Sequence, residues 1–170
     1  MIAVWWNFFY LCGSSAAALM GLMFVAVTLG WRLIKKETIA LTHVFLSAIF
    51  FHFLQVLFLC CLTAVPVESP KLLAGATVTS ALIRLANIPS TCGRLKGEAR
   101  NKVEITRSDW INIVLLPSCV YLTLLAAGIG LYCGAFWAIP LLARSCLVLR
   151  LGAAYGAWDM LLWIATTLQQ

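Results

Sequence analysis

Charge is what this chain has least of. Of its 170 residues only 11% are Asp, Glu, Lys or Arg, against about 25% in a soluble domain. That is too little polar side chain to cover a surface facing water, so a soluble globule is excluded. Acid is scarcer than base, with six carboxylates against twelve Lys and Arg. So few acids, without a cluster among them, leave no expected site for a divalent cation. Only His43 and His52 are available as imidazole ligands, and they lack the spacing of a zinc site. No GxSxG, Walker loop or HExxH is present. The expectation is therefore no enzyme, no metal and no cofactor.

What fills the chain instead is apolar. Hydrophobic residues make up 63% and the mean hydropathy is +0.98, which reads as an all-α integral membrane protein with a single transmembrane domain over residues 1–170. Seven cysteines (Cys12, Cys60, Cys61, Cys92, Cys119, Cys133 and Cys146) form no CxxC pair. Most lie in apolar runs, where cysteine acts as a small hydrophobe. The alternative is a disulfide near one membrane face joining Cys60 or Cys61 to Cys133. The odd count specifies no disulfide framework.

A bilayer core of about 30 Å needs about 20 helical residues. Five stretches qualify, at residues 8–29, 42–65, 72–88, 111–132 and 140–163, with a polar loop at 90–110. Trp5, Trp6 and Trp31 bracket the first, as headgroup-level tryptophans do. A signal peptide is the competing reading of that segment. Against it, no charge precedes the apolar run and the run exceeds the usual h-region, so the segment is expected to be retained. Pro66 ends the second span, and the turn Pro66-Val67-Glu68-Ser69-Pro70 leads into the third, which Pro89 is expected to terminate. Pro140 suits the first turn of the last helix, placing the residues before it along the interface. A four-span layout, with 72–88 on the surface, is the alternative.

The basic residues set an orientation. Arg32, Lys35, Lys36, Arg94, Lys96, Arg100, Lys102 and Arg107 follow spans one and three, whereas only Lys71 follows spans two and four. Positive-inside bias then puts the amino terminus outside and the carboxyl terminus in the cytoplasm. The same residues attract anionic headgroups. Their juxtamembrane positions argue against a nucleic-acid surface, so no nucleic-acid partner is expected.

Trp6-Asn7-Phe8-Phe9-Tyr10, followed by the small-residue helix from Gly13 to Leu29 with its Gly21-Leu22-Met23-Phe24-Val25-Ala26 run, resembles a family of small uncharacterised bacterial membrane proteins. Those begin with an aromatic cluster and read like GLxFVAxSL. Gly134-Ala135-Phe136-Trp137 and Ala157-Trp158 look similar to that family's last span. The resemblance covers the two ends and, in the middle, the layout alone. It implies a multi-pass protein of the bacterial inner membrane, of a kind sometimes labelled modulators of a membrane AAA+ protease. It carries over no catalytic residues. Arg144 and Arg150 depart from the pattern, which has apolar residues there.

Two features could carry a role. Small residues at helical spacing mark candidate packing faces: Gly13, Ala17 and Gly21 in the first span, Gly130 and Gly134 in the fourth, Gly152 and Gly156 in the last. Lipid tails are as apolar as leucine, so helices associate through close approach. This stripe fits either packing within the chain or a homo-oligomer or another membrane protein as partner. The second feature is charge inside the spans: His52, Arg84, Arg144, Arg150 and Asp159. Arg84 and Arg144 are near span ends and can snorkel. Arg150 falls about 15 Å beyond Pro140, at mid-membrane. His52, with Gln55 one turn away, is expected at the same depth, so a polar pocket of His52, Gln55 and Arg150 is predicted. The leading expectation is a structural or regulatory protein acting through helix association. The alternative is a small ion or solute channel or transporter built on that pocket.

Overall fold

The computed structural model describes residues 2–30, 39–65, 70–100 and 110–167, and among these every regular element is helical. We number them α1 (Ile2–Gly30), α2 (Ile39–Ala64), α3 (Pro70–Arg100), α4 (Leu116–Tyr132, entered through a π-helical turn at Ile111–Leu115) and α5 (Ala138–Thr167). Four are long and apolar enough to cross a membrane. The fifth, α4, has 17 residues and would reach about 26 Å alone; the π-turn before it supplies the missing length. The expected turn at Pro66–Ser69 and residues Trp31, Arg32, Lys35, Lys36, Lys102 and Arg107 lie outside the described residues.

The helices alternate in direction. Gly128 of α4 lies against Val78 and Ala74 of α3, while Tyr121, nearer the start of α4, meets Arg84, further along α3. In the same way Gly152 of α5 meets Leu116 and Gly130 of α4 meets Ala138, with Thr123 bonded to Ser145 between them. On α2, Ile49 touches Gly156 and Cys60 touches Cys146. The ends of α1, α3 and α5 and the beginnings of α2 and α4 therefore share one end of the bundle. We call it the basic end, because Arg94, Lys96 and Arg100 lie in the last turns of α3 there.

α3 pairs most extensively with α4, α1 with α2, and α5 with α4 and α2. The shared core is made by Phe9 of α1, Phe53, Val56 and Leu59 of α2, Tyr121 and Leu124 of α4, and Leu142 and Leu149 of α5. Phe24, Leu72, Leu122, Leu151 and many other large apolar residues stay exposed, as they must where the surroundings are acyl chains.

The helix-breaking expectation at Pro89 needs correction. Pro89 does not end the third helix, which runs on to Arg100, so the first half of the expected 90–110 loop is helical. Proline removes one amide and crowds the preceding turn. Around it the polar side chains fold back on the helix: Asn87 Nδ2 donates to the Ile83 carbonyl at 2.7 Å, and the Ser90 and Thr91 hydroxyls both donate to the Asn87 carbonyl. These bonds go to the Ile83 and Asn87 carbonyls rather than to the Leu85 carbonyl that the missing Pro89 amide would have met, and the helix continues with Pro89 inside it. Pro117 is met differently. The π-turn that precedes it widens the helix just where its ring would clash with the carbonyl four residues earlier. At the last helix, Pro140 is the third residue of α5 rather than the first, a first-turn position that costs no hydrogen bond. The two residues before it, expected along the interface, are helical as well.

The α4–α5 turn explains two glycines. Gly134 has φ +72°, the left-handed conformation that suits glycine. Its amide donates to the Leu131 carbonyl at 3.1 Å, and that of Ala135 to the Gly130 carbonyl at 2.8 Å, the paired bonds of a Schellman cap. At Gly130 the missing side chain admits the Trp137 indole, 2.7 Å from where a Cβ would stand. This pair, expected to pack helices, builds a turn instead.

A candidate ligand-binding cleft

The α2 face carrying Ala48, Phe51, His52 and Gln55 does not pack tightly against its neighbours. Between it, α3 and α4 lies a cleft of about 640 Å³. α3 contributes Ser80, Arg84, Asn87 and Thr91, spaced by three and four residues so that they form one polar stripe along the helix. That stripe rises from mid-helix toward the basic end. α4 contributes Val114, Pro117 and Tyr121.

The inner end of the cleft is a hydrogen-bonded group drawn from all three helices. The Tyr121 hydroxyl is 2.9 Å from His52 Nδ1 and accepts from Arg84 Nε at 3.3 Å. Arg84 also lies over two rings, its guanidinium carbon 4.8 Å from the Phe51 centroid and 5.6 Å from that of Tyr121, within cation–π range. One helical turn deeper, Gln55 Nε2 donates to Ser80 Oγ at 2.9 Å, which in turn donates to the Thr77 carbonyl. His52, Gln55 and Tyr121 are 7%, 8% and 1% exposed.

While accepting from Arg84, the phenol can still donate to His52 Nδ1, and in that tautomer the neutral imidazole carries its own proton on Nε2. That nitrogen is buried and has no partner among the described residues. Arg84 has five N–H donors, of which one is used at Tyr121. No acidic residue lines the cleft among the described residues. Counted over those residues, the site is rich in donors and carries one positive charge.

Of the predicted pocket, His52 and Gln55 line this cleft, and Arg150 does not. Counting residues from the helix ends places Arg150 near the right height but says nothing of direction. α5 packs on a neighbouring face of α2, meeting it at Ile49 and Cys60, and Arg150 lies on the side of α1. It comes within hydrogen-bonding reach of Cys12, and Cys60 bridges Cys12 and Cys146; its Nε is buried without a partner among the described residues. The cation that does enter the cleft is Arg84, which the sequence reading let snorkel to the interface. The stripe Ser80-Arg84-Asn87-Thr91 is periodic and could have been read as a polar helix face. Tyr121 had no comparable signal. Arg144 and Asp159 point outward and are exposed. All seven cysteines are free, with Cys60 buried and Cys61 and Cys133 exposed.

The small residues divide. A Cβ on Gly13 would come within 2.9 Å of Cys60 Cβ, and one on Gly152 within 3.0 Å of Leu116 Cδ2; Gly156 has ordinary room, 3.4 Å from Ile49. Those three pack inside the chain. Ala17 is exposed and Gly21 faces open space, so the Gly13-Ala17-Gly21 stripe is not one face in use. The buried line on α1 is Phe9-Cys12-Gly13-Ala16. Gly128, whose Cβ would stand 2.7 Å from Val78 Cγ2 of α3, was not among the candidates.

Comparison with family models, with curated proteins and with solved structures finds no match for this chain.

Proposed function

We propose that this chain is a membrane-embedded binding protein or carrier whose cleft between α2, α3 and α4 receives a ligand from the basic end. The observation that carries this is the convergence of His52, Arg84 and Tyr121, from three helices, at the closed inner end of a cavity large enough for a small ligand. Buried polar groups in a membrane bundle are costly and are a default pointer to a ligand path. Beyond them the bundle is filled by Phe53, Val56 and Leu59, so the cleft is a blind pocket in this state, and passage across requires a second state. The reading involves no bond-making step: His52 is bonded to a phenol, and among the described residues neither a carboxylate nor a cysteine lines the cleft. The positive-inside bias and the resemblance of both ends to small bacterial proteins support placing it in a bacterial inner membrane with the basic end cytoplasmic.

Thiol labelling tests this. In full-length protein whose accessible cysteines (Cys61, Cys92, Cys119 and Cys133) are replaced by serine, Asn87→Cys and Thr91→Cys should react with an impermeant maleimide offered to the cytoplasmic face of inverted vesicles. Val65→Cys, at the far end of α2, should react only from the other face. Unreactive Asn87→Cys and Thr91→Cys would remove the hydrated cleft, and reaction of both from the outside would invert the orientation.

A second reading, association through α1 with another copy or another membrane protein, is favoured by one observation. Ser14, Ala17, Ala18 and Gly21 remain uncovered on that helix. Ala17→Leu should keep the monomer within about 0.5 kcal/mol of its stability and, if that face is an interface, shift the protein to a smaller species in mild detergent. An unchanged elution position would remove the interface.

A further inference from the structure

We infer that the ligand of the cleft is an anionic amphiphile of the bilayer, held by a monoanionic phosphate head on the Arg84 guanidinium, with its acyl chain along Phe51, Leu54 and Phe58. This rests on the binding-cleft reading above and names its ligand class.

Charge comes first. Arg84 is a half-buried cation inside an apolar span, and no acidic residue among the described ones lines the cavity it enters. The phenol and the two ring faces beside it are neutral, so its charge is solvated but not cancelled. An anion completes the site, and the guanidinium fork matches two phosphate oxygens. A single arginine balances one negative charge, which fits a phosphodiester better than free phosphate.

Donor geometry agrees. Of the five N–H donors of Arg84, Nε is used at the Tyr121 hydroxyl, which leaves the paired Nη groups at the end of the guanidinium to meet phosphate oxygens.

The walls point to an amphiphile rather than a hydrated ion. Phe51, Leu54 and Phe58 line the cleft and are also 45%, 39% and 44% exposed. Being midway along a membrane-spanning helix, that exposure is to acyl chains, so the cleft has a side opening into lipid. The α3 stripe through Asn87 and Thr91 leads from headgroup level at the basic end down to Arg84. A lipid can slide its head along that stripe while its chain never leaves an apolar environment, whereas a free anion would have to shed its water.

The test uses the full-length delipidated protein carrying Asn87→Cys in the same cysteine-replaced background, with maleimide labelling as readout. Short-chain phosphatidylglycerol should protect Asn87→Cys and raise the melting temperature, since a ligand of the folded state stabilises it. Phosphatidylcholine of the same chains and inorganic phosphate should do neither. Arg84→Gln should weaken the protection roughly ten- to hundredfold, and Arg144→Gln, which removes an equal charge elsewhere, should leave it intact. Should Arg84→Gln not fold, Arg84→Lys keeps the charge, loses the fork and should give weaker protection. Equal protection by phosphatidylcholine would overturn the charge assignment, and protection by inorganic phosphate would overturn the amphiphile. Labelling that no lipid blocks would overturn the ligand class while leaving the cleft standing. Failure of Asn87→Cys to label at all would defeat the cleft itself.

Discussion

Gly128→Leu is expected to keep α3 and α4 from closing and to leave little folded protein. A Cβ alone at this position would stand 2.7 Å from Val78 Cγ2, 3.2 Å from the Val78 amide nitrogen and 3.3 Å from the Ala74 carbonyl oxygen. The valine methyl can rotate away; the two backbone atoms cannot, so the helices must part. Overpacking of this kind costs about 1–3 kcal/mol even for small additions, and in a membrane the loss is not offset elsewhere, because tight contact is what holds the pair together. Gly128→Ala should therefore lose about 1–3 kcal/mol in a titration from mild detergent into dodecyl sulfate, and Gly128→Leu should start mostly unfolded. Gly21→Leu is the matched control: nothing lies within 4 Å of its Cβ position, and its stability should stay within about 0.5 kcal/mol. Equal tolerance at the two glycines would contradict the α3–α4 packing.

The second large effect is expected at Tyr121. The side chain is almost wholly buried and fills the junction of α2, α3 and α4. Tyr121→Ala should cost about 3 kcal/mol, mainly through the cavity it leaves. Tyr121→Phe keeps the ring and removes only the hydroxyl, which strands both His52 Nδ1 and Arg84 Nε. Hydrogen bonds between membrane helices are worth about 0.6–1.7 kcal/mol, and the cleft can admit water to replace part of the loss. The expected cost is thus about 1 kcal/mol. A double-mutant cycle with His52→Leu separates the bond from the packing. If Tyr121 bonds His52, the second substitution should cost less in the presence of the first. Strictly additive losses would show that the two side chains do not interact.

The placement of the helices was legible in the chain because lipid leaves the backbone so few choices. A segment that cannot hydrogen-bond to its surroundings must bond to itself, so each apolar run of sufficient length becomes a helix. Residues 111–132 and the end of the second span are accordingly close to the expected limits. Proline was the weak point. Pro89 was read as a stop, yet α3 runs through it to Arg100, because the proline removes one amide while the turns on either side keep their own bonds.

The site was half legible. His52 and Gln55 share one α2 face whatever surrounds it, since four-residue spacing dictates that. Which cation meets them is not a local matter. Arg84 and Arg150 each fall within a span, and a residue count gives each a height along the membrane normal. What chooses between them is the rotation of α3 and α5 about their own axes, set by contacts such as Gly128 on Val78 and Gly152 on Leu116. Composition and periodicity alone determined that this is a helical bundle of membrane-crossing length with a polar α2 face, because helix geometry and an apolar surrounding act residue by residue. Only the tertiary structure decided that Arg84 and Tyr121 complete that face and that Arg150 goes to Cys12, because the direction a side chain takes depends on how neighbouring helices interlock.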